Sequence, residues 1–217
     1  RSLFSTTTGA TNTAVGYRTL YTNVSGTENT AQGYAALYYN TGNTNSAYGY
    51  QALFNNTTAS SNTAVGYQAG YSNTTATYTT AIGSGALYSN TTGDGNLGVG
   101  LNALYSNTTG ISNTAVGSVN TMYDNTTGGY NTGIGYGALQ ANTTASNNTA
   151  VGYQAAYTNT TGTRITAVGY LAAKGGAGST PSYSVAVGSF ALTSATSGDS
   201  NVAIGDNSMA QTTTGSA

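Results

Sequence analysis

Residues 62–69 read Asn62-Thr63-Ala64-Val65-Gly66-Tyr67-Gln68-Ala69, and the same string returns in varied form along the whole chain. Anchored on the glycine that ends Ala-Val-Gly, the copies fall at Gly16, Gly33, Gly49, Gly66, Gly83, Gly100, Gly117, Gly135, Gly152, Gly169, Gly188 and Gly205. Eight of the eleven steps are of 17 residues, and the others are of 16, 18 and 19. A period of this size over the full length is the signature of stacked supersecondary units that share one continuous core.

Each copy reads as one rung. Thr-Ala-Val-Gly alternates with period two and carries a branched residue, as a strand does. Asn-Thr-Thr-Gly supplies the turn, with Asn and Gly available for a positive φ. Ala-Leu-Tyr reads as a second extended segment, and helix is disfavoured by the Gly, Thr and Asn in every window. The fold expected is therefore all-β, a parallel β-solenoid of about 12 rungs with a 17-residue repeat, in which equivalent residues stack about 4.8 Å apart as ladders. One place before the anchor is a Val/Ile column (Val15, Val65, Ile82, Val99, Val116, Ile134, Val151, Val168, Val187, Ile204), with Gln32 and Tyr48 as exceptions. Two places before is Ala in ten rungs, with Gly98 and Gly133 in the others, and four places after is usually Leu. The Val/Ile and Leu ladders are expected to form the interior. The Ala/Gly face is expected to allow close approach of another backbone, and the tyrosines to face outward.

Composition narrows the function classes. Charged residues are 4% of the 217, with four basic and five acidic side chains and no His, Cys or Trp. Such a chain lacks the basic footprint that phosphate backbones need, so nucleic-acid binding is not expected. No apolar run approaches the length of a membrane span, and disulfides are excluded. The acids Glu28, Asp94, Asp124, Asp199 and Asp206 are scattered, too sparse for acid–base catalysis or a metal site. The sequence predicts no enzyme, no metal and no cofactor. Gly175-Gly176-Ala177-Gly178 lacks the Lys-Ser/Thr ending of a phosphate loop.

The string Asn-Thr-Ala-Val-Gly-Tyr-Gln-Ala at 62–69, and its Ala-Val/Ile-Gly core over residues 12–210, resembles the head repeats of YadA-type trimeric autotransporter adhesins. It is also similar to repeat arrays of phage tail fibres and bacterial surface proteins. The resemblance implies a left-handed β-roll, commonly trimeric, at a cell or virion surface. The chain departs from that pattern in a longer repeat with an added Asn-Thr-Thr-Gly turn.

Two kinds of column are candidates for function. Seven places after the anchor lies an Asn column, Asn23, Asn40, Asn56, Asn73, Asn90, Asn107, Asn142 and Asn159, with Asn125 shifted by one in the long rung; all but Asn40 begin Asn-x-Ser/Thr sequons. It reads either as a ladder of hydrogen-bonded amides or as a row of N-glycosylation sites. A second Asn column (Asn12, Asn29, Asn45, Asn62, Asn96, Asn113, Asn131, Asn148, Asn201) precedes the strand as a turn or ladder position. Five places after the anchor stands an aromatic ladder, Tyr21, Tyr38, Phe54, Tyr71, Tyr88, Tyr105 and Tyr157, with Tyr123 one place later in the 18-residue rung. It serves to stabilise rungs by stacking, or to bind sugar or another subunit. The paired threonines point to opposite sides of an extended chain, which argues against a flat ice-binding face there.

The organisation expected is one solenoid domain over 1–217, with regular rungs over 12–173, an insertion at 174–183 containing Pro181, and divergent rungs over 184–217. Leu3–Gly9 matches half a rung, and Thr214-Gly215 falls mid-rung, without the polar caps solenoids use. The function expected is a structural subunit of an extracellular filament or surface fibre, self-associating by head-to-tail stacking or as a trimer. The alternative is an adhesin or tail-fibre head that binds cell-surface carbohydrate.

Overall fold

The computed structural model describes residues 2–175, 182–195 and 198–210. The centre of the 174–183 insertion, including Pro181, and residues 211–217 lie outside them. The fold is an all-β parallel solenoid that divides by internal contacts into units 1–109 and 110–217. In the first unit the strands are β1 (Thr13–Val15), β2 (Thr30–Gln32), β3 (Ser46–Tyr48), β4 (Thr63–Val65), β5 (Thr80–Ile82) and β6 (Leu97–Leu101). The second holds β7 (Thr114–Val119), β8 (Thr132–Ile134), β9 (Thr149–Val151), β10 (Thr166–Val168), β11 (Val185–Val187) and β12 (Val202–Ile204). Within each unit every strand pairs in parallel with the next, in the register the anchor glycines dictate: Ala64 opposite Ala81, Ala150 opposite Ala167.

The interior differs from the expectation in one respect. Ala31, Ala47, Ala64, Ala150 and Ala167 are fully buried, and the Val/Ile column points out, Val15 being 55% and Ile204 70% exposed. The Leu column is interior as expected, from Leu20 to Leu192. Alternation fixes that Val and Ala lie on opposite faces, but volume decides which face is inside. Each rung is a narrow coil already filled by Leu four places after the anchor and by a second buried small residue just before it, such as Ala52 or Ala103. Where the inward strand residue is a glycine the same crowding is visible: a methyl at Gly133 would stand 3.0 Å from Met122 Cε. Alanine fits beside leucine there, and a branched side chain would overpack the coil.

The Ala-Leu-Tyr segment is not a second strand. It is a turn in which residues two and four places after the anchor both take positive φ, as at Gln51 (53°) and Leu53 (51°). A third such residue recurs in the next turn, as at Ser61 (61°) and Tyr78 (58°). Left-handed backbone costs an L-residue about 1–2 kcal/mol, and what holds it is pairing from rung to rung. Leu53 N donates to Ala69 O (3.0 Å), Asn55 N to Tyr71 O (3.0 Å) and Thr57 N to Thr74 O (3.1 Å). Turns as well as strands thus satisfy their backbone groups along the stack.

The anchor glycine makes that stacking close. Gly66 has φ +138°, and a Cβ there would lie 2.6 Å from Gly83 O. The close backbone approach expected of the small-residue face therefore occurs within the chain, glycine over glycine.

Candidate functional site: side-chain ladders

The two asparagine columns act together. In several rungs both amides donate to one carbonyl, ten places after the anchor where the step is 17 residues. Asn45 and Asn56 donate to Ala59 O (2.9 and 3.0 Å), and Asn131 and Asn142 to Ala145 O (2.8 and 3.1 Å). The same amides then link rungs. Asn56 Nδ2 also donates to Asn40 Oδ1 (2.6 Å), Asn142 Nδ2 to Asn125 Oδ1 (2.7 Å), and Asn148 N to Asn131 Oδ1 (3.0 Å). All of these side chains are buried. Burying an amide is tolerated only when its donors and acceptors are met, and here a rung closes on itself and binds its neighbour with the same groups. In the first unit the ladder is broken at Asn73, whose Oδ1 is buried without a partner.

This geometry bears on the sequons. Asn23, Asn56, Asn73, Asn90, Asn107, Asn125, Asn142 and Asn159 are each at most 1% exposed. At Asn56, Asn73, Asn107, Asn142 and Asn159 the Nδ2 that would carry a sugar donates to the preceding asparagine's Oδ1. A glycan there would remove a buried bond and could not be housed in the coil. The folded rung therefore uses these residues as a ladder and offers none of them as an attachment point.

The aromatic column five places after the anchor is half-buried along the coil edge, not fully outward. Phe4, Tyr21, Tyr38, Phe54, Tyr71, Tyr88 and Tyr105 stack in order at 5.0–5.3 Å between centroids. In the second unit Gln140 stands between Tyr123 and Tyr157, and the Tyr157 ring lies over Gly137. Burial, and then the neighbouring phenols of Tyr105, Tyr71 and Tyr67, push the Tyr88 hydroxyl above its usual range. A second aromatic ladder, directly after the anchor, was not singled out from the sequence. Tyr17, Tyr34, Tyr50 and Tyr67 stack at 5.1–5.5 Å, and Tyr136, Tyr153 and Tyr170 at 5.2–5.3 Å. These rings are exposed. The signal was present, since the column repeats at the same spacing as the anchor. In both ladders each inner ring has its faces covered by its neighbours, leaving edges and hydroxyls to solvent.

Beside the exposed tyrosines lies the outer face of the sheet, made of the Val/Ile column and the Thr column two places before it. In both units this face is free of charged residues. The acids occupy other positions: Asp94 accepts from Thr77 N (2.7 Å) and Asp199 from Ser182 N (2.7 Å), each bracing the preceding rung. Asp124 is half-buried, and desolvation raises its carboxyl above the ordinary value. Among the described residues no three His, Cys, Asp or Glu side chains come together as a metal site would require.

No protein-family model, curated protein or solved structure matches the chain. The functional reading therefore rests on the ladders themselves. Among the described residues no helix is long and apolar enough to cross a membrane.

Proposed function

We propose that the protein is a structural subunit of an extracellular or surface fibre, and that it self-associates laterally through the outer face of its sheet. The observation that carries this reading is the Val/Ile column turned to solvent, with Val15, Val65, Ile82, Ile134, Val168 and Ile204 all exposed. An exposed apolar stripe of this kind, present in each unit and broken in the first by Gln32, is uncommon on a monomer and marks association. The occupant is a second copy. Its rungs carry the same spacing, so the two ladders meet in register along their length, and no charge on either face opposes the approach. The chain's net charge of −1 adds little long-range repulsion.

A carbohydrate-binding head draws no support from the tyrosine ladders. Sugars pack on the faces of aromatic rings, and the inner rings of these stacks are covered by one another.

The test compares the purified chain with Ile134→Lys/Val168→Lys, which charges the sheet face without touching the coil interior. Sedimentation equilibrium and negative-stain microscopy are expected to give multimers or fibres for the unaltered chain and monomers for the variant, with unchanged far-UV circular dichroism. A chain that stays monomeric at every concentration overturns the proposal, as does a variant that assembles equally well.

A further inference from the structure

One-electron oxidation of this chain has one main class of target, since its methionines, Met122 and the half-buried Met209, react by two-electron oxygen transfer. There is no Cys, Trp or His, against 19 Tyr. Of the two Met, Met122 is fully buried. One-electron oxidants that react with the folded protein therefore act on phenols, and the exposed phenols that stand stacked on one another are those of the ladder directly after the anchor glycine.

We propose that this ladder is a site of oxidative cross-linking, in which neighbouring tyrosines couple to dityrosine and join rungs covalently in a chain that has no disulfides. Tyr34 and Tyr50 stand 5.1 Å apart with planes 9° from parallel, and Tyr50 and Tyr67 stand 5.3 Å apart at the same angle. Tyr136, Tyr153 and Tyr170 repeat the arrangement at 5.2 and 5.3 Å. The backbone register keeps each pair adjacent, so a radical formed on one ring has a partner within reach by local motion alone, which corresponds to a high effective concentration. Coupling needs a pivot of the rings about their Cα–Cβ bonds to bring ortho carbons together. The exposed ladder has room for it, whereas Tyr71, Tyr88 and Tyr105 are half-buried in the coil edge.

The reaction balances with hydrogen peroxide as oxidant and a haem peroxidase as catalyst. Each phenol gives up one electron and its proton, and the two phenoxyl radicals join ortho carbon to ortho carbon. The coupled rings then re-aromatise, so that two tyrosines and one peroxide give one dityrosine and two waters. This chemistry is independent of how copies of the chain associate.

Exposed tyrosines outside the ladder serve as an internal control. Tyr78, 73% exposed, has Ser61 and Gly95 in its column, and Tyr130 has Ser112 and Asn147. Neither has a ring beside it in that column. The experiment treats dilute protein with peroxidase and peroxide, then reads dityrosine fluorescence and maps cross-linked peptides, each short of two hydrogen atoms, by mass spectrometry. Links are expected between Tyr34 and Tyr50, Tyr50 and Tyr67, and Tyr136 and Tyr153, at yields that do not change on further dilution. Replacing the seven ladder tyrosines with Phe keeps the stacked rings and removes the phenols, and is expected to abolish the dilution-independent signal. Tyr78→Phe/Tyr130→Phe is expected to leave it unchanged. Absence of dityrosine overturns the proposal, and so does a product that forms only between chains or draws equally on Tyr78 and Tyr130.

Discussion

Replacing Gly66 with alanine separates two costs that the anchor column combines. The backbone there has φ +138°, a region in which an L-residue carries roughly 1–3 kcal/mol of strain. The added methyl would also lie 2.6 Å from Gly83 O and 2.7 Å from its carbonyl carbon, both backbone atoms of the next rung. Forcing such atoms apart costs about another 1–3 kcal/mol, so Gly66→Ala is expected to destabilise its rung by roughly 2–6 kcal/mol. Gly205 is the matched control: its φ is +116°, and a methyl there meets no described atom within 4 Å. Gly205→Ala should therefore cost the strain alone, about 1–3 kcal/mol. A stack of rungs unfolds in segments coupled to their neighbours, so one melting temperature is the wrong readout. Amide hydrogen exchange at the rung of each glycine, compared with the same amides in the unaltered chain, gives the local opening free energy directly. Equal losses at the two positions would refute the role assigned to glycine-over-glycine contact, and no loss at Gly66 would refute the register itself.

Further predictions concern the ladders. Asn142→Ala removes donors from both Ala145 O and Asn125 Oδ1. It should destabilise its rung by about 2 kcal/mol, because two buried hydrogen bonds are lost where water cannot replace them. Ala145 O keeps a second donor in Asn131, and urea titration with exchange readout will measure the loss. Tyr78→Asn places a residue tolerant of left-handed backbone at an exposed position with φ 58°, and should stabilise by about 1 kcal/mol in the same assay. Tyr88 ionises above the ordinary tyrosine value when folded, so the unfolded chain loses that proton first. Stability from this group is present below the unfolded pKa and is lost as pH rises through the folded one, and Tyr88→Phe should reduce the alkaline sensitivity of urea midpoints. Asp124 is also raised when folded, so its contribution is fully present at acid pH and declines as pH rises through the folded value. Asp124→Asn should flatten that part of the acid profile.

Within each unit the register of the strand pairs was legible from the anchor glycines alone, because a near-fixed period allows only one way of stacking like on like. The direction of the faces was not. Val65 and Ala64 alternate whichever of them points inward, and hydrophobicity favours valine for the core. The answer lies in the circumference of a rung whose interior Leu53 and Ala69 already fill, and circumference is not written in any one window. The left-handed backbone at Leu53 and Gln51 was equally hidden, since neither residue type favours that conformation and the pairing that enforces it comes from the neighbouring rungs. The asparagine ladder could be anticipated from its spacing. That the two columns converge on one carbonyl, as Asn45 and Asn56 do on Ala59 O, depends on a turn whose path only the folded rung defines.

The asparagine clasp also bears on how long the molecule lasts. Asparagine is a chemically labile residue, because the backbone nitrogen that follows it can attack the side-chain carbonyl carbon and release ammonia. A flexible chain this rich in Asn-Thr would accumulate such damage. Here that nitrogen is engaged after Asn56, Asn73, Asn90, Asn125 and Asn142, where the N–H of Thr57, Thr74, Thr91, Thr126 and Thr143 donates to the next rung at 2.8–3.1 Å. The amide under threat is itself buried and bonded. The bonds that close each rung therefore also slow its ageing, and the chain's durability becomes a property of its fold.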